Sequence, residues 1–329
     1  MTQQQTVLLT DRAWPDDSIE RGIIEDAGFG LVAGPADPAP VDIIDALIAE
    51  HQPAAILTCW ATVSAGAIAS SDPLRVVARM GVGLDNIAVS AATERGVQVT
   101  NVPDYCVEEV SDHAVGLALA WTRGLAAADR EVRAGKWNPA GARPRRLSTL
   151  TCGVIGYGRI GRATAAKLRA LGARVVISDP HPPADTGGIE VMPLDGLLAA
   201  SDVVVLHAPL IPQTHHLISE RELALLPQGA FVINVSRGGL IDTAALIASL
   251  QTGHLGGAGL DVLEEEPTVP AELLAHPGVI VTPHIAFASD SSVIDLRRSA
   301  AEEVVRVLRG EAAHYPCNTP SPLATGVSS

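Results

Sequence analysis

Short apolar runs alternate with amphipathic stretches along most of this chain; the runs have the length of strands and the stretches that of helices. In the first third the runs fall at 7–10, 54–58, 75–78 and 97–100, with a helix expected over about 16–27. This βα series has no glycine-rich turn in its first crossover. Asn101-Val-Pro-Asp breaks the rhythm at Pro103, and the pattern then predicts a long helix from Val107 through His113 and Ala120 to beyond Arg130. Its apolar positions cover more than one face, so packing beyond its own domain, on a second subunit, is expected. Further on, strands are predicted at 152–156, 174–178, 203–206, 230–234, 256–260 and 279–281, and helices at 160–171, 195–200, 220–225 and 242–251. A charged-faced helix over 291–308 is expected to return to the N-terminal domain, and the tail from Pro316 onward to be frayed.

The second βα series opens on Cys-Gly-Val-Ile-Gly-Tyr-Gly-Arg-Ile-Gly at 152–161 and reaches Arg-Val-Val-Ile-Ser-Asp, which ends at Asp179. A strand, a glycine turn, a helix and a second strand closed by an acid describe a dinucleotide site. Gly156 makes the tight turn and Gly158 leaves the backbone open to a pyrophosphate. Gly161 lets the helix lie close to its strand, and the helix start at Arg159 and Ile160 faces the phosphates. Asp179 stands where a carboxylate accepts hydrogen bonds from the adenosine ribose hydroxyls and repels a 2′-phosphate. NAD is therefore expected over NADP.

Composition narrows the classes. The 329 residues suffice for two domains with full cores, and only 3% are aromatic, which suits layers closed by aliphatic side chains. A net charge of −14 argues against nucleic acid as a partner. The one basic cluster, Arg143, Arg145 and Arg146, reads as a solvated loop. The N-terminus lacks a charged segment followed by an apolar one, so no signal peptide is read, and no apolar run is long enough for a membrane span. Four cysteines, Cys59, Cys106, Cys152 and Cys317, show no metal-ligand or CxxC spacing and suit a reducing cytoplasm. His215 and His216 have no carboxylate or third histidine at useful sequence spacing, so no metal is expected there. Trp121 and Trp137 read as packing anchors, and His113 as a group bonded at a subunit contact.

Three strand ends carry polar groups: Asn234-Val-Ser-Arg-Gly-Gly, Gly259-Leu-Asp-Val-Leu-Glu-Glu-Glu-Pro and Val281-Thr-Pro-His-Ile-Ala. The carboxyl ends of parallel strands line the ligand crevice, so Arg237, Glu266 and His284 are predicted to converge there. Singly, each has a plain reading as a surface arginine, a solvated acid or a core histidine. Together they supply what oxidation of a 2-hydroxy acid requires. A histidine takes the hydroxyl proton, a carboxylate orients it, and an arginine holds the substrate oxygens. Glu264 and Glu265 are expected to be solvated, with Glu266 chosen by its place beside Pro267.

With these motifs in order, the chain resembles the D-isomer-specific 2-hydroxyacid dehydrogenases over nearly its whole length. The resemblance implies an α/β fold of two doubly wound parallel-sheet domains. The larger, 104–290, would be a Rossmann NAD-binding domain, and the other, 1–103 with 291–329, a flavodoxin-like substrate domain. It further implies that Arg237 binds substrate, Glu266 pairs with the histidine, His284 is the acid/base, and Asp261 holds the nicotinamide carboxamide. His207, Ala208, Pro209, Thr214, Val235 and Ser236 would border the cofactor. Arg79 and the amides of Val82 and Gly83 would receive a small anionic substrate, with Trp60 beside them. A homodimer is implied as well.

Within the family, residues 101–110 and 261–267 most resemble the branch that includes the C-terminal-binding-protein corepressors. Cys59 and Trp60 stand where phosphoglycerate dehydrogenases carry basic and small residues, so a phosphate head group would lose a cation there. Phe287 alters the surroundings of His284. Formate enzymes of the superfamily have glutamine in place of Glu266, which argues against formate. Oxidation of phosphite or of a phosphonate hydroxy acid, and an NAD-sensing binding protein, are the rival readings.

Overall fold

The strands Ala55–Thr58, Val76–Arg79, Val203–Leu206 and Ala230–Asn234 are buried along their whole length. Strands buried on both faces belong to parallel sheets covered by helices. The computed structural model describes residues 4–12 and 14–320. The chain forms two compact units, divided after Tyr105 and after Ala288, with the segment beyond Ala288 belonging to the first.

The smaller unit holds β1 (Thr6–Leu9), β2 (Gly30–Ala33), β3 (Ala55–Thr58), β4 (Val76–Arg79) and β5 (Gln98–Thr100). They are parallel, in the order β2-β1-β3-β4-β5, which is the flavodoxin-like arrangement. One face is packed by Ile44, Ile48 and Ile68, the other by Ile24 together with Leu296, Ala300 and Val304 of the helix Ser292–Leu308. β2 carries no clear apolar pattern of its own; its register, Thr6↔Gly30 to Leu9↔Ala33, comes from pairing with β1. The expectation of a frayed tail is corrected as far as Asn318. The Cys317 amide donates to the Val99 carbonyl at 2.8 Å, and the Asn318 side chain bonds both the Val99 amide at 2.7 Å and the Val97 carbonyl at 2.9 Å.

A buried ion pair joins the two terminal helices of this unit. Arg297 donates to Glu20 through Nε at 3.0 Å and Nη2 at 2.8 Å, and its guanidinium lies 5.3 Å from the Trp14 ring centre. Glu20 has no exposed surface. Removing Glu20 leaves the buried Arg297 only the more exposed Asp16, 3.2 Å away, as a charged partner, so Glu20→Ala is expected to destabilise this unit by about 2–3 kcal/mol. Urea unfolding would show this as an earlier midpoint; an unchanged midpoint would contradict it.

The larger unit holds β6 (Thr151–Ile155), β7 (Arg174–Ser178), β8 (Glu190–Val191), β9 (Val203–Leu206), β10 (Ala230–Asn234), β11 (Leu255–Leu260) and β12 (Val279–Val281). Their order is β12-β11-β10-β9-β6-β7-β8, all parallel, with the direction of winding reversing between β6 and β9. This is the Rossmann order, and ligands bind at the carboxyl ends beside that reversal.

The long helix differs from its sequence reading. It spans Val107–Thr122, Gly124 turns left-handed at φ 64, and a separate helix follows over Leu125–Arg133. Its buried side chains, among them Ala114, Leu117 and Ala118, pack within the unit against the helix Arg159–Ala170 and against β10 and β11. Trp121 stacks on Phe231 with ring centres 4.7 Å apart, as an anchor should. Trp137 does not: it is 85% exposed.

Candidate active site

At the end of β6, Gly156 adopts φ 91, and a Cβ there would lie 2.6 Å from the His207 carbonyl carbon. The turn thus presses against the end of β9 as only glycine allows. A Cβ on Gly161 would collide with the Gly156 carbonyl, so the helix Arg159–Ala170 starts directly over the turn. Gly158 has nothing within 4 Å of its missing Cβ. The turn therefore opens into free space just where the amides of Arg159 and Ile160 begin the helix. At the end of β7, Asp179 accepts from the Tyr157 amide and the His181 amide, each at 2.7 Å. The acid is tied to the glycine turn by its own hydrogen bond. An open cradle, a helix start and a fixed carboxylate together fit a dinucleotide.

The neighbouring strand ends are laced to this turn. His207 lies 2.9 Å from the Thr164 hydroxyl, and burial pushes its imidazole down to about 3, so it stays neutral and does no proton chemistry near neutrality. Ala208 and Pro209 follow. The Thr214 hydroxyl donates to the Pro209 carbonyl at 2.6 Å and accepts from the Ile211 amide at 2.9 Å, closing that loop. Val235 is buried, and the Ser236 hydroxyl donates to the Leu206 carbonyl at 2.8 Å, joining β10 to β9.

Arg237, Glu266 and His284 all follow carboxyl ends of strands in this unit. The Asn234 side chain holds a turn by accepting from the Ser236 amide at 3.1 Å and donating to the Arg237 carbonyl at 2.8 Å. Glu266 Oε2 lies 2.8 Å from His284 Nδ1, while Oε1 accepts from the Leu263 amide at 3.0 Å. Burial alone would raise the Glu266 pKa. The hydrogen bond and charge of His284, the Leu263 amide and the nearby charge of Arg237 outweigh it, and the net shift is downward. A carboxylate on Nδ1 favours the tautomer that carries its proton there. Phe287 meets the His284 ring edge-on at 6.3 Å.

His284 has φ 53, an uncommon conformation for a side-chain-bearing residue. What holds it there was not foreseen. Asp261, expected to hold the nicotinamide carboxamide, has a side chain only 1% exposed and accepts from the Thr282 hydroxyl at 2.6 Å, the Ile285 amide at 3.0 Å and the Ala286 amide at 2.9 Å. Its carbonyl accepts from the His284 amide at 2.8 Å. The bonds on this carboxylate fix the turn that carries His284. His113 lies 3.0 Å from the Thr282 hydroxyl, so its bond is inside its own chain. Glu264 is exposed, as expected, but it also pairs with His216 at 2.5 Å. A carboxylate thus does stand by the two histidines, with donor atoms of His215, His216 and Glu264 within 4.8 Å of one another.

The other four predicted residues belong to the smaller unit. Val82 is 37% exposed and its carbonyl accepts from the Asn101 side chain at 2.7 Å; Gly83 follows it. Arg79 departs from expectation. It is only 6% exposed, and its guanidinium folds back onto the Met80 carbonyl. Trp60 sits in a loop whose support the sequence did not reveal. Asp11, fully buried, accepts from the amides of Cys59 at 2.9 Å, Trp60 at 2.7 Å and Ala61 at 3.1 Å, and from the Thr10 hydroxyl at 2.8 Å. Burial pushes the Cys59 thiol up to about 12, which rules it out as a nucleophile.

A Rossmann sheet with an open glycine turn and a histidine–glutamate pair on its strand ends defines a dinucleotide-binding unit with a polar site at the strand ends. Residues 115–286 match the family described as D-isomer specific 2-hydroxyacid dehydrogenase, NAD binding domain. The chain belongs to the D-isomer-specific 2-hydroxyacid dehydrogenase family. It is 40% identical over 253 residues to a D-3-phosphoglycerate dehydrogenase of Mycobacterium leprae, covering 76% of this chain and 48% of that protein. It is 38% identical over 257 residues to a glyoxylate reductase of Korarchaeum cryptofilum, covering 76% and 77% of the two. An NADPH-dependent glyoxylate/hydroxypyruvate reductase from Sinorhizobium meliloti, solved with NADP and malonate, superimposes with a TM-score of 0.84 at 32% identity, covering 97% of this chain and 98% of that one. The chain spans about half the length of the phosphoglycerate dehydrogenases it matches.

Proposed function

We propose that the protein is an NAD-dependent oxidoreductase moving hydride between the nicotinamide and C2 of a small D-2-hydroxy acid or its 2-oxo acid. The observation that carries this is the 2.8 Å contact between His284 Nδ1 and Glu266. Bound NAD or NADH supplies the hydride acceptor or donor. In reduction, protonated His284 gives its Nε2 proton to the oxygen on C2 as that carbon gains hydride, and is left neutral. In oxidation, neutral Nε2 removes the hydroxyl proton. Glu266 stays ionised and stabilises the imidazolium, and Arg237 holds the carboxylate and the C2 oxygen. Asp179 favours NAD over NADP. Trp60 and Cys59 in place of a cation favour an acid without a phosphate head group, in keeping with the glyoxylate reductases among the relatives.

The test is NADH consumption over a panel of 2-oxo acids. Turnover of glyoxylate-sized acids and rejection of 3-phosphohydroxypyruvate would support the reading. NADH binding without turnover of any acid would sink it and favour a dinucleotide-sensing protein.

The chain is further proposed to form a homodimer, with the contact moved from the helix Val107–Thr122 to the segment after it. Leu125 at 58%, Val132 at 50% and Trp137 at 85% exposure form the apolar surface there. Sedimentation should give a mass near twice 34.1 kDa, and Trp137→Glu should lower it. A wild-type monomer at micromolar concentration would overturn this.

A further inference from the structure

Catalysis by His284 and Glu266 depends on where the segment 263–266 sits, and most of what fixes it comes from elsewhere in the larger unit. Glu264 Oε1 lies 2.5 Å from His216 Nε2, and Oε2 accepts from the Thr243 amide at 3.2 Å, the first residue of the helix Thr243–Gln251. His216 belongs to the loop that carries Ala208, Pro209 and Thr214. Its backbone is left-handed at φ 52, and its amide donates to the Gly239 carbonyl at 2.8 Å. Two residues on, the Ile218 amide donates to the Leu240 carbonyl at 3.0 Å. Gly238, beside Arg237, has no room for a side chain, since a Cβ would run into the carbonyl of Leu263 and the amide of Glu264. The three loops that bear Thr214, Arg237 and Glu266 are thus in mutual contact; His216 bonds Glu264 through Nε2, and its Nδ1 lies 4.0 Å from an oxygen of Asp242.

We propose that His216 and Glu264 are positioning residues, a clamp that holds the Leu263–Glu266 segment against the Arg237 turn and so keeps Glu266 on His284. This rests on reading Glu266 and His284 as the acid/base pair. Glu264 is suited to the task. Burial opposes its charge, but the hydrogen bonds from His216 and Thr243 prevail and hold its pKa below the ordinary carboxylate range, so the anion persists at neutrality. The His216 and Glu264 side chains are 34% and 28% exposed. An ion pair on open surface contributes little; a charge-assisted bond in a partly desolvated setting is stronger and more directional. His215 adds a stacked ring 4.0 Å from His216. Both Glu264 oxygens already have protein donors, so the cluster is built as a clamp rather than as an ion cage.

Two readouts test it, one without substrate. In hydrogen–deuterium exchange, Glu264→Ala and His216→Ala should each speed exchange in the peptide spanning 262–266 while leaving the peptide of β6 unchanged. In kinetics on the best 2-oxo acid, both should lower kcat by roughly ten- to hundredfold, the cost of a small misplacement of catalytic groups. NADH affinity should stay within about twofold in Glu264→Ala, which lies outside the glycine turn, Asp179 and the loop of Ala208, Pro209 and Thr214. The pH profile should move towards acid, as it would on loss of the Glu266 charge. Glu264→Gln, which keeps an acceptor for the Thr243 amide, should recover much of the rate. Unchanged exchange at 262–266 in both alanine variants would overturn the clamp, as would a fall in rate with no movement of the pH profile. If the wild type turns over no acid, the functional reading fails while the exchange experiment still decides the clamp.

Discussion

Replacing His284 with alanine is expected to lower turnover by about 10²- to 10⁴-fold, the usual range for losing a general acid/base. NADH should still bind, because the cradle at Gly156, Gly158 and Asp179 lies on other strand ends. Glu266→Gln separates geometry from charge, since it keeps the hydrogen-bonding shape but removes the anion 2.8 Å from the imidazole. Reduction needs the imidazolium and falls as pH rises; oxidation needs the neutral ring and climbs. An anion within a few ångströms favours the protonated ring, so removing it should move both profiles towards acid. Glu266 itself, with its pKa lowered, remains ionised at neutral pH and adds no limb there. Stopped-flow and steady-state rates across pH check both variants. Near-normal turnover by His284→Ala would end the catalytic assignment.

Asp179 should make NADH bind roughly a hundred- to a thousandfold more tightly than NADPH. Two unit charges about 4 Å apart at an effective dielectric near 20 repel by about 4 kcal/mol, less whatever the phosphate escapes by turning outward. The carboxylate cannot easily swing away, because the Tyr157 and His181 amides hold it at 2.7 Å each. Family membership does not decide this choice, since the Sinorhizobium relative is NADPH-dependent. Fluorescence titration with both cofactors is the measurement, and equal affinities would remove Asp179 from its role.

Much of the larger unit was legible because every strand except the short, exposed β8 is a compact apolar run that stops at a glycine or a polar residue. The glycine turn, Asp179, Arg237, Glu266 and His284 all stand at such stops. What was not legible depends on partners far apart in the sequence. Three adjacent acids at 264–266 look alike, and only Pro267 distinguishes the last. That Glu264 meets His216 follows from β9 and β11 lying on either side of β10. The bonds of Asp261 to residues 282–286 likewise join segments far apart in the sequence. The long helix was read through Gly124 because its apolar rhythm continues, although a glycine in a helix interior costs about 1 kcal/mol relative to alanine. β2 escaped notice because two bulky residues beside a glycine make a strand only when a neighbour supplies the ladder.

The buried carboxylate of Asp11 separates shape from chemistry in the loop it supports. The path of Cys59, Trp60 and Ala61 is set from beneath, through their backbone amides, by a residue on a different segment. Their side chains serve the packing instead: Cys59 and Ala61 are buried in the core and Trp60 lies partly against it. A mutational library at position 60 would therefore probe side-chain packing apart from backbone path, because Asp11 grips the amides whichever residue stands there.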